Sequence, residues 1–317
     1  MKTIEIGESG LKIAPFTLGG NVFGWTVDLQ KSFEILDAYL AAGFNFIDTA
    51  DSYSHWANGG IGGQSETIIG NWLASRGVRE QIILATKVGS GAGKKAPDSS
   101  RRHILQAIDE SLKRLQTDYI DLYYTHYDDG HTPVEETLSA YQELIKVGKV
   151  RAIAVSNITP GRLKESLAAS AMNNLPKYQA LQPLYNLMER KVYENDYASI
   201  AATHGLTVFP YYALASGFLT GKYRSKADFS KSVRGQDTLK YMHQKGLKVL
   251  DALDGIAQKH HTVPASVALA WLYAQPHIGA PIASATSTTQ LKQILAGAQL
   301  QLDASDLSRL NKASTEE

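Results

Sequence analysis

The chain has no cysteine in 317 residues. That absence removes a disulfide frame, a thiolate nucleophile and a cysteine-ligated metal, and it suits a reducing compartment. No stretch approaches the roughly 18 apolar residues of a membrane span. The opening MKTIEIGESG holds no apolar h-region, so no signal peptide is expected. Charge of one sign is also missing: 32 basic residues meet 31 acidic ones, a formal net charge of +1. Nothing in that balance selects for nucleic acid or an anionic membrane. There is no G-x-G-x-x-G turn, so a doubly wound dinucleotide fold lacks its phosphate cradle. Hydrophobic residues make up 44%, enough for one large core. The expectation is a cytoplasmic globular protein, monomer or homo-oligomer, built as one domain over residues 1–317, with no nucleic-acid or membrane partner and no metal.

Short apolar runs alternate with amphipathic segments. Eight runs read as strands: Phe16–Gly19, Phe44–Asp48, Ile82–Thr86, Ile120–Thr125, Ala152–Ser156, Tyr178–Gln182, Leu206–Tyr211 and Ala280–Ala283. Between them lie helical patterns. Lys31–Gly43 ends on a glycine suited to a C-cap, Arg101–Gln116 follows the N-cap candidates Ser99–Ser100, and Val134–Lys149 follows Pro133 with acids first and a lysine late. Eight strand–helix units predict a parallel sheet with covered faces, an α/β fold closed as a (β/α)8 TIM barrel. The leading Thr3–Ala14 reads as a β-hairpin about a Ser-Gly turn that plugs the bottom of the barrel. Ala213–Lys240 is the longest irregular stretch.

Polar residues close three successive apolar runs. Asp48 and Tyr53 follow one, Lys87 closes ILATK and His126 closes DLYYTH. In a parallel barrel the C-terminal strand ends form the mouth, where active sites lie. A tyrosine titrates near about 10; a lysine ammonium within a few ångströms favours the phenolate and lowers that value. Tyr53 is thus the candidate general acid, with Lys87 as tuner. Asp48 would hold Lys87 charged, and His126 would orient a carbonyl or share the proton. Such a set protonates a carbonyl oxygen while hydride arrives at carbon. Each residue alone has a structural alternative, since barrel cores contain Asp–Lys pairs and the chain has 16 tyrosines.

The segments GFNFIDTADSY, ATKVG, TDYIDLYYTH, LIKVGKVRAIAVSN, LQPLYNLMER and YYALASGFLTGKY resemble those of the aldo-keto reductases over nearly the whole chain. Their layout is most similar to the branch holding potassium-channel β subunits and bacterial sugar-aldehyde reductases. The resemblance implies an NADP-dependent oxidoreductase that reduces aldehyde, ketone or sugar carbonyls, with NADPH (or NADH) extended across the barrel mouth. It assigns the catalytic tetrad to Asp48, Tyr53, Lys87 and His126. By the same resemblance Gly20 and Asn21 lie beside the nicotinamide, and Ser156, Asn157 and Gln182 bind its carboxamide. Tyr211 stacks on the ring, Leu214, Ser216, Gly217 and Lys222 wrap the pyrophosphate, and Ser284, Thr286 and Gln290 surround the adenosine 2′-phosphate. Two departures stand out. Tyr211-Tyr212-Ala213-Leu214 lacks the proline brace of many relatives, and Ser284-Ala285-Thr286 lacks their arginine, leaving hydroxyls and Arg234 to meet the phosphate. A regulatory subunit that senses NADPH on the same barrel is the alternative from another class. A hydrolase lacks a metal cluster or carboxylate pair to carry it.

Trp25, His55, Trp56 and Tyr127 fall on expected mouth loops, where they would line a substrate pocket or simply pack the loops together. Gly89–Lys95 is glycine-rich and basic but fails the phosphate-loop pattern, because Val88 holds the first glycine position and Lys95 replaces Ser/Thr. It reads as a mobile loop. His260–His261 reads as a solvated helix end and His131 as a loop histidine. Asn157-Ile158-Thr159 fits a glycosylation triplet, but the N-cap and cofactor reading of that asparagine is preferred.

Overall fold

The computed structural model describes residues 3–57, 59–92 and 96–315. The hairpin pairs β1 (Ile4–Glu5) with β2 (Lys12–Ile13) antiparallel. Eight further strands form one parallel sheet: β3 (Thr17–Gly19), β4 (Phe46–Asp48), β5 (Ile83–Val88), β6 (Ile120–Thr125), β7 (Val150–Ser156), β8 (Ala180–Gln182), β9 (Thr207–Val208) and β10 (Ile282–Ala283). Their order is β10-β3-β4-β5-β6-β7-β8-β9. Backbone bonds close the ring between the outer pair: Val208 N–H to His277 O at 3.1 Å, Gly279 N–H to Val208 O at 2.9 Å and Ile282 N–H to Pro210 O at 2.9 Å. The fold is the expected (β/α)8 barrel with a hairpin at its base.

Side chains alternate along each strand. In β6, Leu122 and Tyr124 point into the barrel, whereas Tyr123 faces outward against Tyr141 at 5.9 Å between rings. Alanines of β5, β7 and β8 leave room inside that Phe46 and Phe209 fill edge to face at 5.0 Å. Ile6, Leu11 and Ile13 of the hairpin complete this inner cluster from below, so the barrel is a packed core with a floor.

Helices α1 (Leu29–Ala41), α2 (Gln64–Arg76), α3 (Arg101–Leu115), α4 (Val134–Lys146), α5 (Pro160–Asn173), α6 (Ala198–His204), α7 (Gln244–Lys259), α8 (Pro264–Tyr273) and α9 (Thr288–Ala296) cover the outside, and α10 (Ala304–Ser314) packs on α7. Ser100 caps α3 through the His103 N–H, as its sequence suggests. α4 stops at Lys146, before the left-handed Gly148 (φ 78°). Among the described residues no helix is long and apolar enough to cross a membrane.

Candidate active site

Strand register brings the four expected polar groups to one rim. Asp48 is the last residue of β4 and pairs across to Gly19 and Ala85. Lys87 lies two positions further along β5. Its ammonium donates to Asp48 Oδ2 at 2.6 Å, Tyr53 OH at 2.7 Å and Thr49 O at 2.8 Å. These use all three of its protons. Asp48 Oδ1 accepts from Gln182 Nε2 at 3.0 Å, and Oδ2 also receives the Tyr53 hydroxyl at 3.3 Å. Lys87 and Asp48 are buried to 0% and 1% exposure, a depth at which only a fully bonded pair is tolerable. Tyr53 stands on the turn after β4, anchored by the left-handed Ser54 (φ 72°), whose hydroxyl donates to Phe23 O at 2.8 Å.

His126 follows β6, with its N–H on Val88 O at 2.8 Å and its ring edge-on to Tyr53 at 6.1 Å. Its Nδ1 is buried without a partner. Burial, then Lys87, then His55 push its pKa well below the usual histidine value, so the imidazole is neutral near pH 7. The expected downward shift of Tyr53 is not found. Burial first, and Asp48 second, push the phenol well above 10. Lys87 in turn is pushed down by burial, against the pull of Asp48. The ammonium is already shared among three acceptors, and desolvation of the phenolate outweighs what remains.

A cavity of about 940 Å³ opens above this set. It holds most of the expected cofactor residues: Asn21, Ser156, Asn157, Gln182, Tyr211, Leu214, Ser216, Gly217, Lys222, Arg234, Ser284, Thr286 and Gln290. Gly20 is the exception. It lies beneath the wall, where a Cβ would meet Ser65 Oγ at 2.8 Å, and Gly19 lines the cavity instead. Where the nicotinamide is expected, Ser156 Oγ donates to Gln182 O at 2.8 Å. Asn157 Nδ2 donates to His126 O at 2.8 Å, and Asn157 Oδ1 accepts the Tyr211 hydroxyl at 3.2 Å. Asn157 is left-handed (φ 43°), a conformation asparagine tolerates better than most residues. At the far side Ala215, Ser216 and Gly217 run through φ of 48°, 56° and 94°. The Ala215 and Gly217 N–H groups are donated within the turn, to Tyr212 O at 2.7 Å and Leu214 O at 2.8 Å, and the Lys222 ammonium lies 3.4 Å from where a Gly217 Cβ would stand. These features fit an extended dinucleotide. The hydroxyls expected to meet the adenosine 2′-phosphate are engaged within the chain: Ser284 donates to Asn21 Oδ1 at 2.5 Å and Thr286 to Gln290 Oε1 at 3.0 Å.

His55, Trp56 and Tyr127 line the same cavity beside the tetrad, and the last two are 45% and 41% exposed, which places them at its rim. Trp25 touches this wall through Trp56, ring to ring at 5.5 Å. Arg234 lies over the face of Trp25 at 4.9 Å. The sequence expectation puts Arg234 at the adenosine 2′-phosphate; here it stands on the Trp25 side of the cavity, with Tyr212 and Tyr53 among the groups acting on it. Tyr212, beside Tyr211 after β9, lines the same wall.

Asp51 went unnoticed too. It sits behind the tetrad with its N–H on Lys87 O at 3.2 Å and a buried Oδ1 that has no partner. Burial first, then Glu66, raise its pKa to about 7. Glu66 is bound by Thr86 Oγ1 and Arg114 Nε, both at 2.6 Å.

The remaining sequence signals resolve simply. His260 and His261 do end α7, with His261 exposed, but His260 is also tied to a residue 46 positions away, its Nε2 bonding Asp306 Oδ2 at 2.7 Å. His131 is an exposed loop residue. Ser90–Ala92 line the cavity, and Gly93–Lys95 of the glycine-rich run lie outside the described residues. Among the described residues no three His, Asp or Glu side chains gather as a metal site.

Known proteins resemble this chain over most of its length. The model of the Aldo/keto reductase family matches residues 15–315. Protein tas of Escherichia coli is 32% identical, covering 98% of this chain and 96% of its own. Aldo-keto reductase YhdN of Bacillus subtilis is 33% identical over 89% and 84% of the two chains. A probable voltage-gated potassium channel subunit beta of Arabidopsis thaliana is 30% identical over 92% and 90%.

Proposed function

The chain belongs to the aldo/keto reductase family of carbonyl oxidoreductases, and from that premise we propose that it reduces aldehyde, ketone or sugar carbonyls to alcohols with NADPH as the preferred cofactor. The observation that carries this reading is the bonded set Lys87–Tyr53–Asp48 at the floor of a dinucleotide-sized cavity. Bound there, a reduced nicotinamide supplies the hydride; the chemistry is the cofactor's.

The chain's own residues supply orientation and the proton. Ser156, Asn157 and Gln182 hold the carboxamide, and Tyr211 covers the ring. Gly217, Ser216 and Lys222 receive the pyrophosphate. The Tyr53 hydroxyl turns from its long 3.3 Å bond with Asp48 to the substrate oxygen and gives up its proton as negative charge develops there. Lys87, donating to the phenol oxygen at 2.7 Å, stabilises the phenolate that forms. A high resting pKa keeps Tyr53 protonated until that moment. His126, neutral, orients the carbonyl through a ring nitrogen and does not deliver a proton as imidazolium. Gly20 supports the rim by its lack of a side chain. The working unit is a single domain, placed in the cytoplasm.

A screen of small aldehydes, ketones and sugars against both NADPH and NADH tests the proposal. Oxidation of NADPH with at least one carbonyl class is expected, and cofactor binding without turnover of any would overturn it. That second outcome would favour a cofactor-sensing subunit, a reading that the likeness to channel β subunits keeps in view.

A further inference from the structure

Four other partly buried arginines each hold a carboxylate: Arg79 with Asp121, Arg114 with Glu66, Arg162 with Asp128 and Arg190 with Glu194. Arg234 is equally withdrawn from solvent, yet among the described residues its guanidinium makes no ion pair and no hydrogen bond. Burial works against its charge, and the groups that support it without bonding to it include, largest first, the Tyr212 hydroxyl, the Asp237 carboxylate and the Tyr53 hydroxyl. Desolvating a guanidinium without a bonded acid is costly, so such a cation in a cavity wall is poised for an anion from outside the chain.

Its surroundings set the kind of anion. The guanidinium lies 4.9 Å over Trp25, Trp25 meets Trp56 at 5.5 Å, and Trp56 meets Tyr53 at 6.1 Å. An aromatic wall thus runs from Arg234 to the proton donor. A cation lying over a ring keeps its N–H edge free, and that planar fork matches a carboxylate in two parallel hydrogen bonds. The one acid in the cavity lining near the tetrad, Asp48, is consumed by Lys87 and Gln182. Lys222, against the Gly217 turn, is the cation placed for the cofactor's pyrophosphate.

We propose that Arg234 is a specificity-determining residue that binds the carboxylate of the substrate, so that this protein prefers carbonyl compounds carrying a carboxylate on a flat or apolar body. The inference rests on the reductase reading above and names the substrate class of that same site.

The test compares 4-formylbenzoate with its methyl ester, two aldehydes of similar reactivity that differ in charge. Wild type should favour the acid in kcat/KM by about 10- to 100-fold, the scale of a lost charge-assisted pair. Arg234→Leu should erase that ratio by raising KM for the acid, and Arg234→Lys should retain part of it. Calorimetric titration with 4-(hydroxymethyl)benzoate should show binding to wild type and a loss of the same size in Arg234→Leu, a readout independent of turnover. Reduction of both aldehydes without preference by wild type overturns the inference and leaves the reductase reading intact. So does an Arg234→Leu variant that weakens NADPH binding and slows both aldehydes equally, since the guanidinium would then belong to the cofactor. Failure of wild type to reduce any carbonyl overturns both.

Discussion

The two ends of the barrel each hold a buried carboxylate bonded to a cationic side chain, and they are finished differently. At the bottom, Asp121 accepts from Arg79 and the Leu84 N–H on one oxygen, at 2.8 and 2.9 Å, and from Arg151 on the other at 2.9 Å. Both guanidinia cover the faces of Tyr119, at 3.9 and 4.1 Å. At the mouth, Asp48 and Lys87 are as well bonded, but their neighbours are not. Among the described residues, His126 Nδ1 and Asp51 Oδ1 are buried and unpaired, Arg234 bonds no carboxylate, and the Tyr53 hydroxyl donates only through a 3.3 Å bond. A closed network holds a fold; one with open valences can take a ligand. The contrast separates a stabilising end from a working end.

The comparison can be broken from either side. At the mouth, Lys87→Met removes the cation that stabilises the phenolate, and turnover should fall by about 10²–10⁴-fold, the range of general acid catalysis. Because burial lowers the Lys87 pKa, the alkaline limb of the wild-type pH–rate profile should reflect its deprotonation, and the residual activity of the variant should lack that limb. An unchanged profile would uncouple Lys87 from Tyr53. At the bottom, Asp121→Ala leaves two guanidinia facing each other and should cost about 3 kcal/mol in urea unfolding. Its kcat on any reduced aldehyde should stay within a factor of two or so of wild type, since no bond links Asp121 to the rim. A large loss of kcat with little loss of stability would dissolve the division of roles.

A smaller effect separates the ends by pH. The Asp51 carboxyl titrates near 7 in the folded chain, above its unfolded value of about 3.9. The folded state therefore keeps a proton that the unfolded state gives up. The contribution is full below about pH 4 and is lost as pH rises through about 7. Asp51→Asn should flatten that part of the stability–pH curve, by about 2 kcal/mol once partial exposure of the residue is allowed for. Chemical unfolding at pH 5 and pH 8 checks it; equal slopes in the two proteins would deny the shift.

Much of the barrel is legible in the sequence because the determinants are local. Several strands are apolar runs with a polar residue at or next to their end, so Asp48, Lys87, Ser156 and Gln182 mark their own rims. What stays hidden depends on residues distant in sequence. Closure of the ring uses His277 and Gly279, just ahead of the expected strand Ala280–Ala283, through their bonds to Val208. The Arg79–Asp121–Arg151 cluster and the His260–Asp306 pair join positions 30 to 46 residues apart. Arg234 rides on a segment of short turns whose path no periodicity reveals. The upward direction of the Tyr53 shift is not legible because the sequence shows the lysine but not the depth of burial.

The smallest effect concerns cofactor choice. Ser284 and Thr286 are engaged with Asn21 and Gln290, so they offer the 2′-phosphate neutral contacts that must first be released. NADPH should bind more tightly than NADH by a modest margin. Thr286→Arg, adding a charged fork, should widen that margin about tenfold in fluorescence titrations. No change would place the adenosine end elsewhere in the cavity.

The most direct test of the mouth as the working end is Tyr53→Phe beside wild type, with NADPH affinity and aldehyde reduction measured on the same preparations. Cofactor affinity should be retained, because the phenol oxygen serves the substrate, while reduction falls by about 10²–10⁴-fold. A Tyr53→Phe protein that reduces aldehydes at the wild-type rate would contradict the account.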